Sequence, residues 1–145
     1  MARIEDSIEI KRPAEKVFAY TTEAKNWPKW QSIIPAAEQT SPGPVGERST
    51  FKGKTHMMGL TMNWTAKATE YEPGKHFSKN IISMGMFIEQ HNTYTPVEGG
   101  TRFTILYVVT VRGFFKLFSP MLISTIRKEL KKSLANLKGV LEAQT

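Results

Sequence analysis

The chain of 145 residues, 40% hydrophobic and 23% charged, fits one domain, residues 1–145, with a core of ordinary size. It contains no cysteine, which excludes disulfides, thiol catalysis and cysteine-bound metal. A formal net charge of +7 favours acidic partners, yet the basic residues are scattered and do not alternate with aromatics, so no nucleic acid is expected and an anionic membrane surface is a weaker alternative.

The start, MARIEDSIEI, shows no charged-then-apolar leader, and no apolar run reaches the roughly eighteen residues that cross a bilayer, so a cytoplasmic protein is expected. Ile4, Asp6, Ile8 and Ile10 alternate with Glu5, Ser7, Glu9 and Lys11, which predicts a half-buried strand. Pro13 opens a short helix from Ala14 to Tyr20 with Val17 and Phe18 inward. A second helical stretch, Glu23 to Trp30, is interrupted by Pro28, and its Trp27 and Trp30 read as core anchors. Ser32 to Gln39, broken by Pro35, suits an edge strand, and Pro42, Gly43, Pro44 and Gly46 make a loop.

Strands are then expected at Arg48 to Thr55, Leu60 to Tyr71, Lys75 to Ser83, Met86 to Val97 and Thr101 to Val111. The last four are joined by turns at Pro73-Gly74, Met84-Gly85 and Gly99-Gly100. His56, His76 and His91 fall in this region without metal-ligand spacing, and neither a metal nor another cofactor is expected. From Gly113 to Thr145 an apolar run, Phe114, Phe115, Leu117 and Phe118, gives way to Ser119-Pro120, a helix start with Ser119 as the capping residue. Leu122, Ile126, Leu130, Leu134, Leu137 and Leu141 then recur at helical spacing, with Arg127, Lys128, Lys131, Lys132 and Lys138 as a solvated face. Such a helix, roughly 36 Å long, can lie along a whole sheet, so a ligand would sit between the two.

Centring each hairpin on its turn pair gives a register. Phe103, Ile105, Tyr107, Val109 and Val111 face inward with Ile88, Gln90, Asn92 and Tyr94, then Phe77, Lys79 and Ile81, then Met62, Trp64, Ala66, Ala68 and Glu70. Lys79 stands opposite Gln90, and Asn92 opposite Tyr107. The other face collects polar residues such as Lys67, His76, Ser78, Asn80, Glu89, His91 and Arg102, as an outer face should.

The order is strand, two short helices, antiparallel strands and a long terminal helix, an α+β arrangement. Ile8-Glu9-Ile10 with Pro13-Ala14-Glu15-Lys16-Val17-Phe18, Trp27-Pro28-Lys29-Trp30, Val45-Gly46, Tyr71-Glu72-Pro73-Gly74, Pro96-Val97-Glu98-Gly99-Gly100-Thr101 and Leu134 to Glu142 together resemble the polyketide cyclase/dehydrase branch of the START-like (SRPBCC, helix-grip, Bet v 1-like) superfamily. The resemblance runs over nearly the whole chain. It implies a helix-grip fold, with a seven-stranded antiparallel sheet wrapped around the C-terminal helix and an apolar cavity between them. Its members range from lipid and hormone carriers to cyclases, and no catalytic signature carries over.

The expected wall is Phe51, Met62, Trp64, Phe77, Ile81, Ile88, Phe103 and Ile105, with Phe118, Leu122 and Ile126 from the helix region. Met57, Met58, Met62, Met84 and Met86, on neighbouring strands and connections, suit either an irregular ligand or gap-filling in a core. The inward polar set Lys79, Gln90, Asn92, Tyr94 and Tyr107 has two readings. Either Lys79 reaches the sheet edge and the amides pair with each other, or the group fixes the oxygen-bearing end of an apolar ligand, with Lys79 favouring a carboxylate, enolate or phenolate. Binding of a hydrophobic or amphiphilic small molecule, lipid or polyketide-like, is the expected function. A cyclase/dehydrase-type enzyme using the same cavity is one alternative. The other is a protein- or membrane-docking module through Phe114 to Phe118, which would be a patch or lid if exposed and core if buried.

Overall fold

The structure, a computed structural model, describes residues 1–144, with Phe114 described by its backbone only. Thr145 and the side chain of Phe114, which belong to the expected terminal segment, lie outside the described residues. Strand β1 (Ala2–Ile10) buries Ile4 and Ile10, and α1 (Ala14–Thr22) follows with Val17 and Phe18 inward. The helix runs two residues further than its pattern suggests, and in that last turn the Thr21 and Thr22 hydroxyls donate back to the carbonyls of Val17 and Phe18, at 2.8 and 2.9 Å, so both buried hydroxyls are satisfied. Pro28 does not interrupt the next helix. A 3-10 turn, Ala24–Asn26, leads into α2 (Trp27–Trp30), and the proline sits in the first turn, where its missing N–H is not needed. Trp27 and Trp30 are both buried.

β2 (Ala36–Gln39), β3 (Thr50–Met57), β4 (Leu60–Glu72), β5 (His76–Ser83), β6 (Met86–Val97) and β7 (Gly100–Val111) complete a seven-stranded sheet in the order β1-β7-β6-β5-β4-β3-β2. Neighbouring strands pair antiparallel throughout. β5 and β6 pair as the turn at Met84-Gly85 predicts, with Lys79 opposite Gln90. β4 and β5 follow the expected register from Trp64 to Ala68, and then a bulge shifts it before Glu70. The extra residue brings Tyr71 opposite Phe77 and turns Glu70 outward, where its carboxylate accepts a hydrogen bond from Ser78 at 3.1 Å. Glu70 is therefore not an inward group.

A second correction concerns the last hairpin. Its two turn residues are Glu98 and Gly99, with Val97 paired to Gly100, and Gly99 takes a left-handed φ of 79° that a glycine adopts without strain. The strands slip by two residues relative to a turn at Gly99-Gly100. Asn92 thus faces Ile105, and Tyr107 faces Gln90 rather than Asn92. An even slip leaves every side chain on its own face, so the inner wall keeps its composition while its partners change.

A 3-10 segment, Gly113–Phe118, leads from β7 into α3 (Ser119–Glu142). Ser119 is itself helical: its N–H closes the 3-10 segment on the Lys116 carbonyl, and its hydroxyl makes no capping hydrogen bond among the described residues, in contrast to the capping role expected for it. Leu122, Ile126, Leu130, Leu134, Leu137 and Leu141 are all buried against the sheet and the short helices. The far end of α3 is tied to the first strand and the residues after it. The Arg12 guanidinium donates to the Leu141 carbonyl at 2.8 Å, the Lys11 N–H to the Glu142 carboxylate at 2.9 Å, and the Lys138 ammonium to both the Glu9 carbonyl and Glu142 at 2.7 Å. These donors hold the Glu142 carboxyl below the usual carboxylate range, Lys138 most of all.

Candidate functional site

Paired residues on one face line up across a sheet, so the inner wall is a set of transverse rows. Nearest the Met84-Gly85 turn the row reads Met86, Ser83, Trp64 and Gly53; the next reads Val109, Ile88, Ile81, Ala66 and Phe51. A third places Tyr107, Gln90, Lys79 and Ala68 side by side, a fourth Ile105, Asn92 and Phe77, and a fifth Phe103 and Tyr94. Gly53 is glycine for a steric reason: a Cβ there would collide with the Trp64 ring and the Ala36 carbonyl.

Between the first three rows and α3 lies a cavity of about 90 Å³. α3 contributes Ile126, Glu129, Leu130 and Ser133; Trp27, Gln31, Ile33 and Ile34 close one side; Thr55, Met57 and Met62 lie toward the sheet end. The last two rows are closed, because the Phe18 ring from α1 packs edge-on against Tyr71 and Tyr94 at 5.2 and 5.1 Å, and Tyr94 lies 5.0 Å from Phe103. A broader depression of about 930 Å³ on the outer face, between β2 and β5, is open to solvent and so does little to desolvate a ligand.

The polar groups of the two halves are treated differently. In the closed half the Tyr94 hydroxyl meets the Thr21 hydroxyl at 2.5 Å, and burial pushes the phenol well above its ordinary value. Gln90 donates to the Asn92 side-chain oxygen at 2.9 Å, so the amides do pair. Lys79 does not reach the sheet edge. It is 5% exposed, its Nζ stands 3.4 Å over the Trp27 ring, and the Phe51 and Phe77 rings lie 5.9 and 5.8 Å away. No hydrogen bond or ion pair to this amine occurs among the described residues, and desolvation lowers its pKa to about 7. Beyond Gln90 in the same row Tyr107, half-buried with one side toward the cavity, is raised by desolvation to about 12 and stays protonated at neutral pH. The Trp64 indole N–H is buried with no partner among the described residues, a second unanswered donor at the same wall.

The family described as polyketide cyclase / dehydrase and lipid transport matches residues 1–142. The chain belongs to this family. Among solved structures, the Zhui aromatase/cyclase from Streptomyces sp. R1128 superposes with a TM-score of 0.83 at 11% identity, covering 97% of this chain and 93% of that one. TTHA0849 from Thermus thermophilus gives a TM-score of 0.81 at 16% identity over 99% and 100% of the two chains. Ara h 8.0201 gives 0.72 at 13% identity over 99% of each. These likenesses establish the polyketide cyclase-like, Bet v 1-like helix-grip fold. No protein of curated function matches the sequence.

Of the wall expected from the sequence of this family member, Met62, Trp64, Lys79, Ile81, Ile88, Gln90, Tyr107 and Ile126 border the cavity. Phe51 and Phe77 sit behind Lys79 as part of its aromatic surround, and Asn92, Tyr94, Phe103 and Ile105 belong to the closed half. Leu122 is buried one turn before Ile126 and does not border the cavity, while Phe118 is 39% exposed. The segment read as patch, lid or core is divided: Phe115 packs beside Gly85, and Leu117 stays largely exposed with Met121. Residues the sequence reading missed include Gln31, Ile33 and Ile34, which lie in an aperiodic loop, and Glu129 and Ser133 on α3. Ser133, buried between Leu130 and Leu134, carried a readable signal, a small polar residue inside the leucine stripe. No helix among the described residues is long and apolar enough to cross a membrane.

Proposed function

We propose that the protein binds a small apolar molecule with one oxygen-bearing end, held between α3 and the sheet. The apolar part lies against Met57, Met62, Met86, Ile88 and Ile126, and the oxygen reaches Lys79, Gln90 and Tyr107. The observation that carries this reading is the Lys79 amine, buried beside a cavity and met by aromatic faces but by no oxygen among the described residues. Membership of a family that includes lipid transport supports an apolar ligand. The cavity is smaller than the ~150 Å³ hole that accepts benzene, so a ligand of several carbons seats only as the three methionines move, which their unbranched side chains allow.

Trp27 and Trp64 on the wall make intrinsic fluorescence a direct readout. Isoamyl alcohol and its longer homologues should change the emission saturably, and Ser133→Leu, which fills the cavity from α3, should abolish the change. A wild-type response that only drifts linearly with concentration would sink the reading. A cyclase-type reaction in the same cavity is the second reading. It is favoured by one row that carries, on the same cavity wall and two strands apart, an amine lowered to about 7 and a phenol that stays protonated at neutral pH. Turnover of an added polyketide mimic is the measurement that would promote it over binding alone.

A further inference from the structure

Lys79 poses a chemical question that binding alone does not answer. A lysine meant to hold an anion is normally reached by a hydrogen-bonding partner that keeps it charged, whereas this one is enclosed by Trp27, Phe51 and Phe77, with the small Ala68 beside it on β4. The ring faces, that of Trp27 above all, attract an ammonium, but burial away from any oxygen among the described residues opposes it more strongly, which leaves a nucleophilic amine on the cavity wall.

We propose that Lys79 is a carbonyl-capturing amine, its Nζ condensing with an aldehyde or unhindered ketone on the bound molecule to form an imine. This rests on the cavity being the ligand site and names the class of molecule it takes. The Nζ lone pair attacks the carbonyl carbon, the carbonyl oxygen takes up a proton, and Nζ loses one, giving a carbinolamine. That hydroxyl then leaves as water with a second proton as the C=N bond forms, and a proton is lost from nitrogen. One amine and one carbonyl give one imine and one water, and no oxidant or reductant is consumed. Tyr107, protonated at neutral pH and on the same cavity wall two strands from Lys79, is the phenol that a bound molecule spanning the row could draw on to protonate the departing oxygen.

The supporting quantity is the supply of free amine. With a pKa of about 7, Lys79 is about half neutral at pH 7, whereas an ordinary lysine is neutral in roughly one molecule per several thousand, an advantage of about 10³-fold. The apolar enclosure also keeps bulk water from driving the imine back to carbonyl and amine.

Acetylacetone is the probe, because it is small and its condensation with an amine, with loss of water, gives a vinylogous amide with its own near-ultraviolet absorbance. Incubation of the intact protein at neutral pH should give one adduct per chain, and peptide mapping should place it on Lys79. Its rate should rise through pH 7 and level off, while any reaction at surface lysines keeps climbing toward pH 10. Lys79→Arg and Lys79→Met should each remove the fast adduct. The mapping on the unaltered protein keeps the test valid even where a variant does not fold. Adducts spread over surface lysines would overturn the proposal. So would the absence of an adduct in a protein that still binds isoamyl alcohol, which leaves the binding reading standing. If neither probe binds, both readings fail together.

Discussion

The space beneath α3 is divided into two halves by a single row of the sheet. On one side of Lys79, Phe18, Tyr71, Tyr94 and Phe103 close the gap with edge-on and tilted rings, and the Tyr94 hydroxyl is answered by Thr21. On the other, Met57, Met62 and Met86 line a hollow that holds an amine with no oxygen partner among the described residues. Both halves share the same strands and the same helix, so the difference comes from what α1 delivers. Where its Phe18 reaches, the Tyr94 hydroxyl is answered from within, although the Trp30 indole N–H against Phe103 has no partner among the described residues; where it does not, Lys79 and the Trp64 N–H are left for something from outside.

The contrast is broken most forcefully by truncation. Phe103→Ala, at a fully buried position among rings, should lower stability by about 3–5 kcal/mol in urea denaturation. Met86→Ala, on the wall of an existing hollow, should fall at the low end for such a change, about 2 kcal/mol, because little new cavity is created. Equal losses would mean that the two halves are packed alike.

The next effect is electrostatic. Lys79 titrates near 7 in the folded chain and near 10.5 when unfolded, so between those values the unfolded chain holds a proton that the folded one lacks. Stability should therefore rise with pH from about 7 toward 9.5, by up to roughly 3 kcal/mol, and Lys79→Met should flatten that rise. Above pH 10 the raised phenols Tyr94 and Tyr107 act in the opposite sense, because the unfolded chain loses those protons first. Stability independent of pH across this window would show that the amine is solvated. The smallest effect is expected for Tyr94→Phe, about 1 kcal/mol, because Thr21 keeps its bond to the Val17 carbonyl and the ring still packs on Phe18.

How much of this was legible follows from what periodicity encodes. Alternation fixed which face each of Lys79, Gln90 and Tyr107 occupies, and the leucine spacing fixed the buried side of α3. Alternation is blind to a slip of two residues, so a turn placed at Gly99-Gly100 instead of Glu98-Gly99 preserved every face and still mispaired Asn92 with Tyr107. It is equally blind to a bulge, which is why Glu70 and Tyr71 exchanged sides. The boundary of the hollow was unreadable because it depends on contacts distant in sequence, Phe18 with Tyr94 and Trp27 with Lys79, and on the aperiodic residues Gln31 to Ile34.

The bonds from Lys11, Arg12 and Lys138 all gather at the last turns of α3, whereas its first turn joins β7 through a short 3-10 segment beside exposed Leu117 and Met121. The helix is thus fastened like an oar in its lock, and Met121 lies roughly 30 Å from the fastening along the shaft. A swing of about 5° about that point moves the opposite end by roughly 2.5 Å, nearly the diameter of a water molecule, while the leucines nearest the clamp hardly shift. Such a tilt would be felt most at Leu122 and at Ile126, which borders the cavity, and least at Leu137 and Leu141.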